Sequence, residues 1–239
     1  MIKEVADIFM PRRCLVCGRT LGLRERHLCI WCASDLPLTY YWENSHNVMA
    51  NKFNGVLEYF RKDGEPMMYS FATALLFYHG DNPYKEIPRA VKYHYNLAAG
   101  RFFASILGQK MARAKEFRDV DAVIPVPLHW LRKRRRGYNQ AEVIASAIAK
   151  ELGVPLLPRV LTRRRRTGTQ TRLDASSRLK NVHGVFRVHR LPEGLNHVLI
   201  VDDTFTTGAT LAACYLALRP ALGPDTRISV ATLSVVDSW

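Results

Sequence analysis

The chain has 239 residues, of which 48% are hydrophobic, and a formal charge of +14 at pH 7. That length predicts one or two domains with a packed core, and the charge suits polyanions such as nucleic acid, an anionic membrane or a heavily phosphorylated small molecule. No stretch approaches the ~20 apolar residues of a membrane-spanning helix, and the charged first ten residues lack the apolar core of a secretory signal; a cytoplasmic protein with reduced thiols is expected.

Residues 1–10 read as a short amphipathic helix, with Ile2, Val5, Ile8 and Phe9 on one side and Pro11 as its stop. Cys14 and Cys17, then Cys29 and Cys32, form two Cys-x-x-Cys knuckles separated by 11 residues. That spacing suits tetrahedral Zn²⁺ and competes with a redox pair or free thiols. Four thiolates would close the coordination sphere, so the expected role is structural, giving folding energy to a segment too short to bury a core. Arg12, Arg13, Arg19, Arg24 and Arg26 would offset the negative charge of such a site. Residues 1–36 are assigned to this module, and a grip on nucleic acid is its alternative role. Cys214, in an apolar helix, is expected to be inert packing.

Residues 37–66 read as a connector, because Pro37, Asn44, Asn47, Asn51, Asn54 and Gly55 break periodicity. The main domain is assigned to residues 67–239. A strand is expected at 69–78 and helices at 84–93 and 97–115, the second with Phe102, Phe103, Ile106, Leu107 and Met111 at helical spacing and read as core. Residues 121–125 read as a short buried strand. It runs into a very basic loop, Arg132 to Arg136 followed by Gly137, and then a helix from about Asn139 to Leu152.

One strand is expected within 156–161. The polar, basic stretch 163–182 is long for a connection in a compact domain, which leaves a functional loop or a solvated one. Further strands are expected at 185–188 and 228–236. Between them lies the most informative stretch, 198–211. Val198, Leu199, Ile200 and Val201 read as a strand buried on both faces. Asp202 and Asp203 end it, Thr206, Thr207, Gly208, Ala209 and Thr210 follow, and an apolar helix begins. Amides and hydroxyls at a helix N-terminus make an anion site, and Gly208 admits close approach. Two carboxylates beside it point to sugar hydroxyls or a cation. No Gly-x4-Gly-Lys-Ser/Thr loop accompanies the acid pair and no Gly-x-Gly-x-x-Gly is present, so P-loop and dinucleotide readings are excluded.

The acid-pair strand with its Thr-Thr-Gly-Ala-Thr loop, together with the upstream Ile-Pro-Val-Pro strand and its cationic loop, resembles the type I phosphoribosyltransferase fold. The cysteine knuckles, Arg136-Gly137-Tyr138-Asn139-Gln140, Lys92-Tyr93 and the spaced Gln170, Arg178, Asn181 and Phe186 narrow the resemblance to the ComF family, phosphoribosyltransferase-like proteins linked to competence for DNA uptake. It covers the chain from about Met10 to Val236. It implies an α/β fold, a parallel sheet flanked by helices with a small N-terminal four-cysteine zinc module.

The resemblance implies that Asp202 and Asp203 are catalytic and bind the ribose hydroxyls of phosphoribosyl pyrophosphate (PRPP). Thr206, Thr207, Gly208, Ala209 and Thr210 would then hold the 5-phosphate. Val126, Pro127, Leu128, Arg132, Arg136, Gly137, Asn139 and Gln140 would form the pyrophosphate loop. Residues 163–182, with Gln170 and Arg178, would close over the site, and Lys92 would face it. Leu128-His129-Trp130 stands where glutamine amidophosphoribosyltransferases carry Asp-Ser-Gly, so their substrate reaction is not carried over. His129 is either a base by its position or a surface histidine. Zn²⁺ is expected as a structural ion and Mg²⁺ with PRPP. The expected partners are PRPP, an unidentified acceptor, and single-stranded DNA or competence and helicase proteins. The rival to transfer is a non-catalytic PRPP sensor or DNA-binding accessory protein.

Overall fold

The computed structural model describes residues 11–61, 67–93, 95–163 and 184–236, apart from the side chains of Arg132, Lys133 and Arg135. The expected helix at 1–10, and Gln170, Arg178 and most of the loop 163–182, lie outside the described residues.

Strands β1 (Ala72–Tyr78), β2 (Ala122–Pro125), β5 (His197–Phe205) and β6 (Arg227–Val236) form one sheet in the order β1-β6-β5-β2. Every pairing in it is parallel. The strands are rich in Val, Ile, Leu and Ala and buried on both faces, as a sheet with helices on each side requires. Beyond α1 (Ile30–Ser34), next to the second cysteine pair, helices α3 (Glu86–Tyr93), α4 (Leu97–Met111) and α6 (Gln140–Leu152) cover one face. There Ile87, Phe103, Leu107, Ile144 and Ile148 pack with Leu199 and Val201. Helices α2 (Val48–Phe60) and α7 (Ala209–Leu218) cover the other, where Met49, Phe53, Leu57, Leu211 and Leu218 pack with Val198 and Ile200. Alternation along β5 therefore sends odd-numbered side chains to the first face and even-numbered ones to the second.

Both sheet edges are covered. Leu38 bridges Leu76 antiparallel to β1, and Leu156 bridges Val123 parallel to β2. Residue 156 is thus a single bridge. The strand expected around it forms later, as β3 (Leu161–Arg163), in an antiparallel pair with β4 (Phe186–Val188).

Two stretches form helix where loop was expected. Helix α2 occupies residues assigned to the connector. Its asparagines favour the helix through specific partners. Asn47 is the N-cap and accepts from the Ala50 amide at 2.9 Å. Asn54 is 7% exposed and pairs with the Ser70 backbone as a strand would, donating to its carbonyl at 2.8 Å and accepting from its amide at 2.9 Å. The basic run folds as α5 (Trp130–Arg136), consistent with the good helix propensity of Arg and Lys.

At the amino ends of the sheet strands His197 is 1% exposed, with Nδ1 2.8 Å from an Asp119 oxygen and Nε2 2.8 Å from Ser229 Oγ. A proton on Nδ1 satisfies both contacts: Nδ1–H donates to the carboxylate and the Ser229 hydroxyl donates to Nε2. Burial pushes the imidazole pKa below its ordinary value despite Asp119. The unfolded chain takes the proton first as pH falls through about 6.5, so this contribution is complete above that pH and is lost below it. The melting temperature should drop between about pH 7.5 and about pH 5.5, and His197→Gln should flatten that part of the profile. Equal slopes in the two proteins would refute the assignment.

Candidate functional site

The pairing of β2 with β5 aligns Pro125 with Val201, so both strands end at one edge of the sheet. The two strand–loop–helix units read from the sequence therefore deliver their loops side by side. Strand β5 runs beyond the apolar quartet to Phe205, which makes the acid pair part of the strand. Asp202 and Asp203 consequently leave the backbone toward opposite faces.

Asp203 turns to the face carrying α3, where its Oδ2 lies 3.7 Å from Lys92 Nζ. Asp202 turns to the α7 face, and its Oδ1 accepts from the Asp203 amide at 2.8 Å. Burial, helped by the charge of Asp203, pushes the Asp202 carboxyl up to about 7, against the opposing pull of Lys92 and Arg163. Thr204 continues the same row, with Oγ1 3.1 Å from Ser234 Oγ. Cys214 of α7, near Asp202, is fully buried, and burial raises its thiol well above the ordinary range, which keeps it protonated.

The loop after β5 is held by its apolar residues. Phe205 is 1% exposed and packs edge-on against Phe53 of α2, with ring centroids 6.4 Å apart. Gly208 is the residue before α7 and sits at φ 76, and a Cβ there would meet Phe205 Cζ at 3.0 Å. Glycine is required twice over, for the left-handed backbone and for the space. Thr206 and Thr210 are exposed and Thr207 half-buried around it. Gly208→Ala should cost about 1–2 kcal/mol of stability in denaturant unfolding. Wild-type stability in the variant would refute this geometry.

The second loop is anchored at both ends. Val126 N donates to Val201 O at 2.8 Å, and Asn139 Nδ2 donates to Val126 O at 3.0 Å. Asn139 and Gln140 are 8% and 3% exposed, and both turn their amides to backbone carbonyls. Arg136 is half-buried, with its guanidinium 5.7 Å from the centre of the Tyr93 ring. His129 is no surface residue. It is 6% exposed, and its Nδ1 accepts from the Leu131 amide at 3.3 Å. Trp130 beside it is 60% exposed.

The sequence reading missed Phe53 as the buttress of the hydroxyl-rich loop. The signal was present in Met49, Phe53, Leu57 and Phe60, which recur at helical spacing between the asparagines.

The cysteines form a second, separate site. Their four Sγ atoms lie within 4.8 Å of one another. Cys17 and Cys29 sulfurs are 3.6 Å apart, and all four thiols are free. Zinc–sulfur bonds of about 2.3 Å in a tetrahedron place sulfurs about 3.8 Å apart, so the cluster fits zinc and is too open for a disulfide. Burial raises the Cys14 thiol, but the amides of Cys17, Cys29 and Val16 outweigh it and bring the pKa down to about 7. Arg12 and Arg13 brace the turns, Arg12 donating to Glu25 O at 2.9 Å and Arg13 to Gly18 O at 3.4 Å. Cys14, Leu21, Leu28 and Cys29 join the core that contains Leu75 and Ile87. The Tyr84 hydroxyl lies 3.2 Å from both Cys32 O and Asp35 Oδ2.

A parallel sheet flanked by helices, an acid-pair strand running into a hydroxyl-rich helix N-terminus, and a four-cysteine cluster define a type I phosphoribosyltransferase-like fold with a four-cysteine N-terminal module. No family model matches the chain. It is similar to Competence protein F of Haemophilus influenzae, 27% identical over 88% of this chain and 92% of that protein. DNA utilization protein YhgH of Salmonella typhi is 40% identical over 38% of this chain and 40% of its own length. Competence protein ComFC of Bacillus subtilis is 28% identical over 48% of this chain and 44% of its own. These likenesses to competence and DNA-utilization proteins agree with the ComF resemblance read from the sequence. The solved adenine phosphoribosyl transferase of Trypanosoma brucei, in complex with AMP, pyrophosphate and ribose-5-phosphate, superposes with a TM-score of 0.38 and 12% identity, covering 69% of this chain and 83% of that one.

Proposed function

We propose that this protein binds PRPP at the carboxyl edge of its sheet and transfers the phosphoribosyl group to an acceptor, releasing pyrophosphate, in the cytoplasmic handling of DNA. The observation that carries the proposal is the convergence of an acid pair, a hydroxyl-rich helix N-terminus and a cationic helix on the ends of two adjacent parallel strands. The names of the relatives, competence and DNA utilization, supply the biological context.

Thr206, Thr207, Gly208, Ala209 and Thr210 would receive the 5-phosphate through amides and hydroxyls. Asp202 and Asp203 would accept hydrogen bonds from the ribose hydroxyls. Val126, Pro127 and Leu128 would line the pyrophosphate side, with Arg132 and Arg136 of α5 supplying charge and Gly137, Asn139 and Gln140 fixing the loop. The acceptor nucleophile forms a bond to the anomeric carbon, the bond from that carbon to the pyrophosphate oxygen breaks, and its electron pair leaves with pyrophosphate. Positive charge that builds on the ribose ring faces the carboxylates, and negative charge on the leaving group faces Lys92 and the arginines. Mg²⁺, when bound with PRPP, would be held near Asp202 and Asp203 and would offset the negative charge of the leaving pyrophosphate. The loop 163–182, with Gln170 and Arg178, would exclude water. Cys14, Cys17, Cys29 and Cys32 would hold a structural zinc. Pyrophosphate release from PRPP across candidate acceptors tests transfer, and no release above the Asp202→Asn, Asp203→Asn double variant would refute it.

A second reading is a non-catalytic accessory protein that senses PRPP or binds single-stranded DNA. The exposed Trp130 beside a cationic helix on a chain of charge +14 favours it. Competence or helicase proteins would be its partners.

A further inference from the structure

The Arg136–Gln140 run makes more contacts than a phosphate loop needs. The Tyr138 hydroxyl donates to Val91 O at 2.6 Å, and Gln140 Nε2 donates to Lys92 O at 3.5 Å. Both carbonyls lie in the last turn of α3, where no partner exists inside the helix. The Arg136 guanidinium lies 5.7 Å from the Tyr93 ring centre, and the Tyr138 and Tyr95 rings are 5.4 Å apart. Asn139 reaches the other way, to Val126 O beyond β2. Four side chains of one short run thus tie the end of α3 to the loop that leaves the sheet.

Tyr95 is held at φ 54, a left-handed backbone that a side chain of its size rarely adopts. The Tyr138 ring contacts the side chain on this backbone, although Tyr95 itself is 61% exposed. What the brace positions is Lys92, whose ammonium is 3.7 Å from Asp203. A half-exposed ion pair at that distance is too weak to hold a four-carbon side chain against its own rotamer freedom. Its placement therefore depends on the backbone that carries it.

We propose that Tyr138 and Gln140 are positioning residues: by capping the carbonyl end of α3 they set Lys92 beside Asp203, and with it the cation that meets the phosphorylated ligand. The consequence for affinity rests on the PRPP reading, whereas the brace itself does not. Tyr138→Phe keeps the ring on Tyr95 and removes only the hydroxyl. Without ligand, reductive methylation of Lys92 followed by mass spectrometry should run about fivefold faster in that variant. With Mg²⁺ present, PRPP should bind about fivefold more weakly, and the Tyr138→Phe, Lys92→Ala double variant should bind no more weakly than Lys92→Ala alone, because Tyr138 acts through Lys92.

Unchanged labelling of Lys92 overturns the proposal, including when the melting temperature falls, since that result marks Tyr138 as a packing residue. Losses that multiply in the double variant overturn it as well. Faster labelling in a protein whose wild type binds no PRPP upholds the brace and refutes the PRPP site instead.

Discussion

Replacing Asp202 and Asp203 together by asparagine should weaken Mg²⁺-dependent PRPP binding by about 100-fold or more. Hydrogen bonds to charged groups contribute about 1.5–3 kcal/mol each, so two of them account for at least that factor. The fold should survive the change. Burial and the neighbouring Asp203 hold the Asp202 carboxyl at about 7, well above its unfolded value. An acid with a raised folded pKa opposes folding as pH rises from about 4, and the penalty is complete above the folded value. Asp202→Asn alone should therefore melt higher than wild type at about pH 8, with the difference vanishing toward about pH 4. Binding should move the other way in the wild type, strengthening from about pH 6 to about pH 8 as Asp202 ionises. Calorimetric titration and scanning calorimetry across that range check both. A double variant that retains wild-type affinity would place the ligand elsewhere.

Cys29→Ser should abolish zinc binding and lower stability by several kcal/mol. Cys29 is 1% exposed, and its sulfur is 3.6 Å from that of Cys17. Structural zinc sites in isolated peptides contribute about 10–16 kcal/mol of apparent binding energy at neutral pH. The loss here should be smaller than that, because the module also packs on the main core. Cys14, Leu21 and Leu28 lie in the same cluster as Leu75 and Ile87, so loosening the knuckles exposes apolar surface beyond the module. Cys214→Ala is the matched control, since it removes a buried thiol far from the cluster. Metal analysis should find one zinc per chain in wild type and in Cys214→Ala, and none in Cys29→Ser. A Cys29→Ser protein that keeps its zinc, or unfolds at the wild-type denaturant midpoint, would contradict a four-thiolate site.

Much of the fold was legible because buried parallel strands are apolar without alternation and amphipathic helices are periodic. The strands ending at Tyr78, Pro125 and Val236, and the helices ending at Tyr93 and Leu152, lie within a few residues of their expected bounds. Helix α2 was not legible for a tertiary reason. Asn47 and Asn54 are helix breakers only when their amides lack better partners, and Ala72 O at the start of β1 and Ser70 just before it supply those partners from more than a dozen residues away. The basic run before Gly137 was read as a loop because adjacent like charges repel, yet a helix spreads them around its circumference.

At the site, the acid pair and the glycine loop could be read from strand, carboxylates, hydroxyls and helix in succession. The separation of Asp202 and Asp203 onto opposite faces depended on β5 reaching Phe205, which polar residues at 202–204 conceal from a hydropathy pattern. The buried amides of Asn139 and Gln140, turned to protein carbonyls, have no signature in one dimension.

The most direct measurement is calorimetric titration of the wild-type protein with PRPP and with a single-stranded oligonucleotide, each with Mg²⁺ and at two salt concentrations. Binding at a ribose-phosphate cradle predicts saturable, Mg²⁺-dependent PRPP binding at one site per chain that the Asp202→Asn, Asp203→Asn variant loses. Absence of PRPP binding, alongside oligonucleotide binding that weakens steeply with salt, would contradict the account and leave a DNA-binding protein built on a phosphoribosyltransferase-like sheet.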